Sequence, residues 1–306
     1  MQLVDVNMIW DQAPHSAFTD LCFFEGRFYC VFRVGDAHIS DSADLQILVS
    51  DEGQHWQPMA RITEANKDLR DGKWFIFKQQ LYLTAAAIDR RESAVPATRL
   101  QTLGWRLDAK GWHGPNPLVA DHYWLWKCTA NQDDNLVVGA GYRGGPQGEA
   151  RLYTSDNGQT FDCVLAPLNN QGYVNEAAPL FIDDELYLLL RRDPVGDDRE
   201  TALLGRAQAP YEDWHWRTLS CRIGGPALFY WRQQLYGVVR LYDNNVRTAV
   251  VAIDTETGQV SEQLTLPSAG DTSYAGVVLQ DDRLFVSYYS SHQSHTAIYF
   301  AVVGLA

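Results

Sequence analysis

The sequence predicts an all-β protein folded as a six-bladed propeller, on three observations. One pattern occurs six times: an apolar strand, a polar turn of two or three residues, then Leu or Phe leading into a second apolar strand (EGRFYCVFR, KQQLYLTAAA, DDNLVVGAGY, DDELYLLLR, RQQLYGVVR, DDRLFVSYYS). The anchors Phe28, Leu81, Leu136, Leu186, Leu235 and Leu284 are spaced by 53, 55, 50, 49 and 49 residues, about the length of one four-stranded blade. No long amphipathic helical period interrupts these short strands. Six such units account for nearly all of the 306 residues, so residues 1–306 read as one domain.

Taken in order, the chain opens on Leu3 to Trp10, a strand-like run with no hairpin partner of its own. After the sixth hairpin there is room for only one more strand, Thr296 to Val303. The N-terminal run is therefore expected to complete the sixth blade as its outer strand, which closes the ring. Between these ends, each hairpin delivers polar residues to its open end, where the blades converge on the axis. Blade one leaves at Arg33 into a loop with Asp36, His38 and Asp41. Blade two is entered through Asp68, Arg70 and Asp71, and blade three through Asp121 and His122.

Blade four is the most informative. Its hairpin NEAAPLFIDDELYLLLRRD reverses direction at Asp183 to Glu185, so Glu176 at its entry and Arg191 at its exit are expected to be neighbours. Blade five leaves through Arg240, Asp243 and Arg247, and blade six is entered through Asp271 to Tyr274 and followed by His292. Arg33, Arg191 and Arg240 each stand five residues after their anchors. Guanidinium groups in register suit a carboxylate or phosphate, which they bind bidentately.

Composition narrows the partners. Hydrophobic residues make up 46% and aromatic residues 12%, enough for a large core. The net charge is −13 and no basic run offsets it, which argues against nucleic acid and against an anionic membrane surface. Cys22, Cys30, Cys128, Cys163 and Cys221 are an odd number without CxxC spacing, so they read as free thiols, most of them buried. The histidines are dispersed along the chain, and neither a metal nor another cofactor is expected. The start has no basic region followed by an apolar one, and the expectation is a cytoplasmic protein.

Two segments resemble a known turn. Thr154 to Phe161, TSDNGQTF, matches the Asp-box Ser/Thr-x-Asp-x-Gly-x-Thr-Trp/Phe at every fixed position, and Val49 to Trp56, VSDEGQHW, keeps Asp51, Gly53 and Trp56. The expectation is a turn between outer strands, with the aspartate bonding backbone amides, the glycine at positive φ and the aromatic ring packed inward. Phe32-Arg33, Asn175-Glu176, Arg191, Arg247 and Ser273-Tyr274 then fall in the order and spacing of the functional motifs of the sialidases (neuraminidases), which the sequence resembles over all six blades. Val34-Gly35 stands where that family has isoleucine-proline after its first arginine.

This resemblance implies a retaining exo-glycosidase acting on sialic acid or a related 2-keto-3-deoxy acidic sugar, free or in a glycoconjugate. It implies Tyr274 as nucleophile, Glu176 as its base, and Arg33, Arg191 and Arg247 as a clamp on the substrate carboxylate. Asp36, 15 residues before Asp51, would be the acid, with His38 or Asp41 as alternatives. Arg240 reads as a fourth clamp member or a brace, while His38, Arg70, Asp271, Asp68 and His292 are further candidates for sugar contacts. The chemistry is coherent, because a neutral phenol avoids the repulsion between a carboxylate nucleophile and a substrate carboxylate at the anomeric carbon. Two other readings fit the same residues: a uronate lyase using Tyr274 with a histidine, and a noncatalytic carbohydrate-binding propeller.

Overall fold

The computed structural model describes residues 1–94, 99–120, 122–196 and 200–306, so Asp121 lies outside the described residues. Its strands form six four-stranded antiparallel sheets, the blades of a propeller. In the first, His15–Phe24, Arg27–Gly35, Asp44–Ser50 and Gln57–Ile62 run from the axis outward. The inner strands of the next four blades are Asp68–Phe77, Trp124–Ala130, Tyr173–Ile182 and Ile223–Trp231.

The sixth blade joins the two ends of the chain. Thr272–Gln280, Arg283–Ser290 and Ala297–Gly304 are followed outward by Gln2–Trp10, which pairs antiparallel with Ala297–Gly304. Leu3 and Val6 pack against the core of this blade. Inner strands are buried almost end to end, whereas outer strands such as Gln57–Ile62 alternate or lie exposed, as a radial stack of sheets requires.

The two segments expected to be Asp-boxes form turns between outer strands, although their aspartates do not bond the amides. Ser155 Oγ accepts the Gly158 N–H at 2.8 Å and Asn157 Oδ1 accepts the Gln159 and Thr160 amides at 2.8 and 3.0 Å. Asp156 is exposed, and Asp51 instead pairs with Arg27. Gly158 has φ of 70° and Phe161 is buried. A serine hydroxyl one residue earlier reaches the turn amides, which leaves the aspartate side chain free to point outward. All five cysteines are free; Cys22, Cys30 and Cys128 are buried, and Cys163 is exposed.

Deleting residues 1–10 removes the outer strand of the sixth blade and opens the edge of Ala297–Gly304. The expected outcome is a Tm lowered by roughly 5–15 °C, from the apolar burial lost and the per-kilocalorie sensitivity of a domain this large. An unchanged Tm in differential scanning calorimetry would show that the strand adds nothing to closure.

Candidate active site

Every inner strand carries one irregularity at the same place. Register shifts fall between Ala17 and Asp20, Arg70 and Lys73, Leu125 and Lys127, Val174 and Ala177, Gly224 and Ala227, and Ser273 and Gly276. Within these bulges stand Phe18, Asp71, Trp126, Glu176, Gly225 and Tyr274, each ten residues before its hairpin anchor. Phe18, Asp71, Gly225 and Tyr274 adopt φ of 59°, 50°, 53° and 48°. A bulge turns a strand residue out of the alternating pattern. Here it aims six residues at the axis.

These six residues meet one another. The Tyr274 hydroxyl donates to Glu176 Oε1, and Arg191 Nη1 donates to Tyr274 Oη at 2.9 Å and to the Glu176 oxygens at 2.9 and 2.8 Å. Gly225 N–H donates to Glu176 Oε2 at 3.1 Å. A Cβ on Gly225 would lie 2.7 Å from Tyr274 Cδ2, so this blade must present a glycine for the tyrosine to fit. Phe18 and Trp126 contact the Tyr274 ring edge-on at 5.1 and 6.3 Å. Trp126 Nε1 donates to Asp71 Oδ2 at 3.1 Å.

The electrostatics follow from burial and charge. Burial and then the charge of Glu176 push the Tyr274 phenol well above the ordinary tyrosine range, against the opposing pull of Arg191 and Arg240. Tyr274 is therefore a phenol at neutral pH, hydrogen-bonded to a base. Burial works against the charge of Arg191, yet Glu176 and Tyr274 hold it firmly protonated. Burial also raises Asp71, whose Oδ1 is sealed from solvent without a partner. The Arg240 guanidinium stands over the Tyr274 ring at 5.2 Å, its Nε and Nη2 bonded to Thr272 O and its Nη2 also to Asp271 and Tyr289 Oη.

The other sequence candidates separate into three groups. Arg33 is fully buried in an ion pair with Asp68 at 2.7 Å, and Asp68 also receives Arg70 and Arg90 at 3.4 and 3.2 Å. Arg33 Nη2 is buried without a partner. Arg70 lies over the Phe18 ring at 4.6 Å and donates to His38 O. His38 Nδ1 is 2.7 Å from Asp271 Oδ2, which His15 Nε2 also approaches at 3.2 Å.

Arg247, Asp36, Asp41 and His292 are not brought to Tyr274. Arg247 begins the third strand of its blade, where it pairs with Glu262 on the outer strand and with Asp243 in its own loop. Its spacing from Tyr274 matches the expectation, but the third strand lies too far from the axis, and Arg240 on the second strand takes the place beside Tyr274. Asp36 and Asp41 are exposed on the loop between the second and third strands of blade one, and His292 Nδ1 bonds Ser290 Oγ with its ring tilted against Tyr299.

His15, Asp71, Trp126 and Phe18 were not singled out as site residues from the sequence. Counting ten residues back from each anchor finds the last three. His15 has no such signal, since it reaches the site through the first residue of its strand.

The comparisons with known proteins agree with this architecture. No protein-family model matches the sequence, and no curated protein matches it. Among solved structures, a Trypanosoma rangeli sialidase in complex with sialic acid superposes with a TM-score of 0.72 at 12% identity, covering 100% of this chain and 57% of that one. The fold is that of the sialidase propellers. The NanB sialidase of Streptococcus pneumoniae matches with a TM-score of 0.69 and 11% identity, over 98% of this chain and 70% of that one. A Penicillium chrysogenum alpha-L-arabinanase complexed with arabinobiose matches at 0.75 with 9% identity, covering 100% and 99%. This chain thus spans little more than half of the trypanosomal sialidase, and nearly the whole of the arabinanase.

The two kinds of arginine pair give stability expectations of different size. Asp68→Asn leaves three guanidinium groups beside a buried amide and should destabilise the fold by roughly 3–5 kcal/mol, the cost of breaking a buried ion pair. Glu262→Gln, opposite Arg247 near the surface, should cost less than about 1 kcal/mol. Urea denaturation of both variants checks the contrast, and equal effects would contradict it.

Proposed function

We propose that this protein is a retaining exo-glycosidase that removes a terminal acidic sugar, sialic acid or a related 2-keto-3-deoxy acid. One observation carries the reading: a buried tyrosine hydroxyl on the propeller axis donates to a glutamate and accepts from an arginine. Tyr274 attacks the anomeric carbon, and its proton passes to Glu176 as the bond forms. Because the free phenol holds its proton tightly, attack and proton transfer are concerted. Arg191 Nη1, already on the phenol oxygen, stabilises the negative charge that develops there.

The substrate carboxylate is taken by the arginines around this pair. Arg240 stands over the Tyr274 ring and Arg70 over the adjoining Phe18 ring, while Arg33 is wholly buried against Asp68, the acid that also holds Arg70. Arg247 has no part in this clamp. The substrate class is supported by the Trypanosoma rangeli sialidase of the same fold, solved in complex with sialic acid and with 2,3-difluorosialic acid as a covalent intermediate.

A 2,3-difluorinated acid sugar should label Tyr274, detected by mass spectrometry of the digested protein, and Tyr274→Phe should abolish labelling while still binding product. Arg240→Ala should cost roughly 2–5 kcal/mol in kcat/KM, the range for losing a buried charge-assisted contact. Inversion of anomeric configuration in early NMR spectra of the reaction would rule out the double displacement. Cleavage of neutral glycosides alone would remove the arginine clamp from the mechanism.

A further inference from the structure

A departing glycosidic oxygen needs a proton, and three acids or imidazoles near the axis are candidates to give it. Asp36 is exposed, and among the described residues its side chain has no hydrogen-bond or ion-pair partner that would fix its direction. Asp71 faces the axis, but Trp126 holds one oxygen and the other is sealed from solvent. His38 differs from both. Its side chain is 51% exposed, yet its Nδ1 is fixed 2.7 Å from Asp271 Oδ2 across 233 residues of sequence.

Asp271 is itself rigidly held. Tyr289 Oη donates to its Oδ1 at 2.6 Å and Arg240 Nη2 at 3.2 Å, while His15 approaches Oδ2 from the buried side. These contacts keep its carboxyl ionised, well below the usual carboxylate range, although burial alone would raise it. An ionised Asp271 fixes a proton on His38 Nδ1 and leaves Nε2 as the outward nitrogen. His38 stands edge-on to Phe18 at 5.3 Å, and Tyr274 meets the same ring at 5.1 Å. Both side chains thus pack against one buried ring, which places the imidazole and the phenol in the same part of the site.

The same three side chains, His15, His38 and Asp271, present ligand atoms within 4.8 Å of one another, the spacing of a metal site. Charge decides against a metal. Arg33 Nη1 is 3.3 Å from His15 Nδ1 and Arg240 is paired with Asp271, so a dication would sit between two fixed guanidinium groups. A single proton suits the cluster better.

We propose that His38, oriented by Asp271, is the general acid/base of this site, an assignment that rests on the glycosidase reading above. In the first step Tyr274 Oη bonds to the anomeric carbon, the bond to the leaving oxygen breaks, and His38 as imidazolium, protonated on both nitrogens, gives that oxygen its Nε2 proton while Glu176 takes the phenol's. In the second, neutral His38 takes a proton from water, the resulting hydroxyl displaces the tyrosyl oxygen, and Glu176 returns its proton to Tyr274. Protons and bonds balance over the cycle, and no further reactant is needed.

The test compares kcat/KM on two glycosides of the same acid sugar, one with a fluorinated umbelliferone as leaving group and one with a simple alcohol. His38→Gln should lose about 10²–10⁴-fold on the alcohol, the usual worth of a general acid, and little on the activated phenol, which departs unprotonated. Added azide should restore turnover of the activated substrate as glycosyl azide, because azide needs no base. Asp271→Asn should show the same asymmetry at smaller amplitude.

A His38→Gln loss equal on both substrates, or no loss on either, would overturn the assignment, as would Asp36→Asn showing the asymmetry instead. Failure of the wild-type protein to cleave the activated acid-sugar glycoside would remove the glycosidase reading and this assignment together.

Discussion

The site depends on a backbone device, the bulge placed at the same point in all six inner strands. A regular strand would send alternate side chains into the two faces of its blade and none along the axis. Holding Phe18, Asp71 and Tyr274 at positive φ is unfavourable, of order 1–3 kcal/mol for each such residue, and persists only where neighbours over-determine it. Those neighbours are visible. Thr19 Oγ1 donates to Tyr274 O at 2.9 Å, Lys73 Nζ to Thr19 O at 2.7 Å, and the Trp74 amide to Asp20 Oδ2 at 2.8 Å. The bulges of blades one, two and six are thus tied to the blade beside them.

A second constraint is charge. In a chain of net charge −13, the axis gathers Arg33, Arg70, Arg191 and Arg240 at one mouth. They are stable there because acids lie between them: Asp68 serves Arg33, Arg70 and Arg90, Asp193 serves Arg191 and Arg222, and Asp271 serves Arg240. Each guanidinium is fixed in direction before any ligand arrives, which spares the ordering cost of binding. An anion would meet donors already aimed.

Much of this was legible in the sequence, and the limits have physical causes. The hairpin anchors gave the blades, their number and the joining of the two ends, because turn chemistry and apolar runs are local signals. The neighbourhood of Glu176 and Arg191 followed from strand reversal. Arg247 misled because spacing along the chain does not say which strand of a blade a residue occupies, and only the inner two strands reach the axis. The Asp271 cluster was hidden for a related reason: His15, His38 and Asp271 belong to segments at opposite ends of the sequence, brought together by closure of the ring. The two turns expected to be Asp-boxes show a smaller case, since a serine hydroxyl accepts the amide that the carboxylate was expected to hold.

The joining of the two ends in the sixth blade also bears on when the site comes into being. Tyr274 lies on the inner strand of the blade that pairs Gln2–Trp10 with Ala297–Gly304, segments far apart in the sequence. Blades one to five can form from contiguous segments as they emerge from the ribosome. The tyrosine, by contrast, has neither its blade nor its contact with Glu176 until the ring is complete. The hydrogen bond between these two residues therefore reports on the whole molecule: a chain that has folded only in part carries the arginines and the glutamate, but not the group they surround.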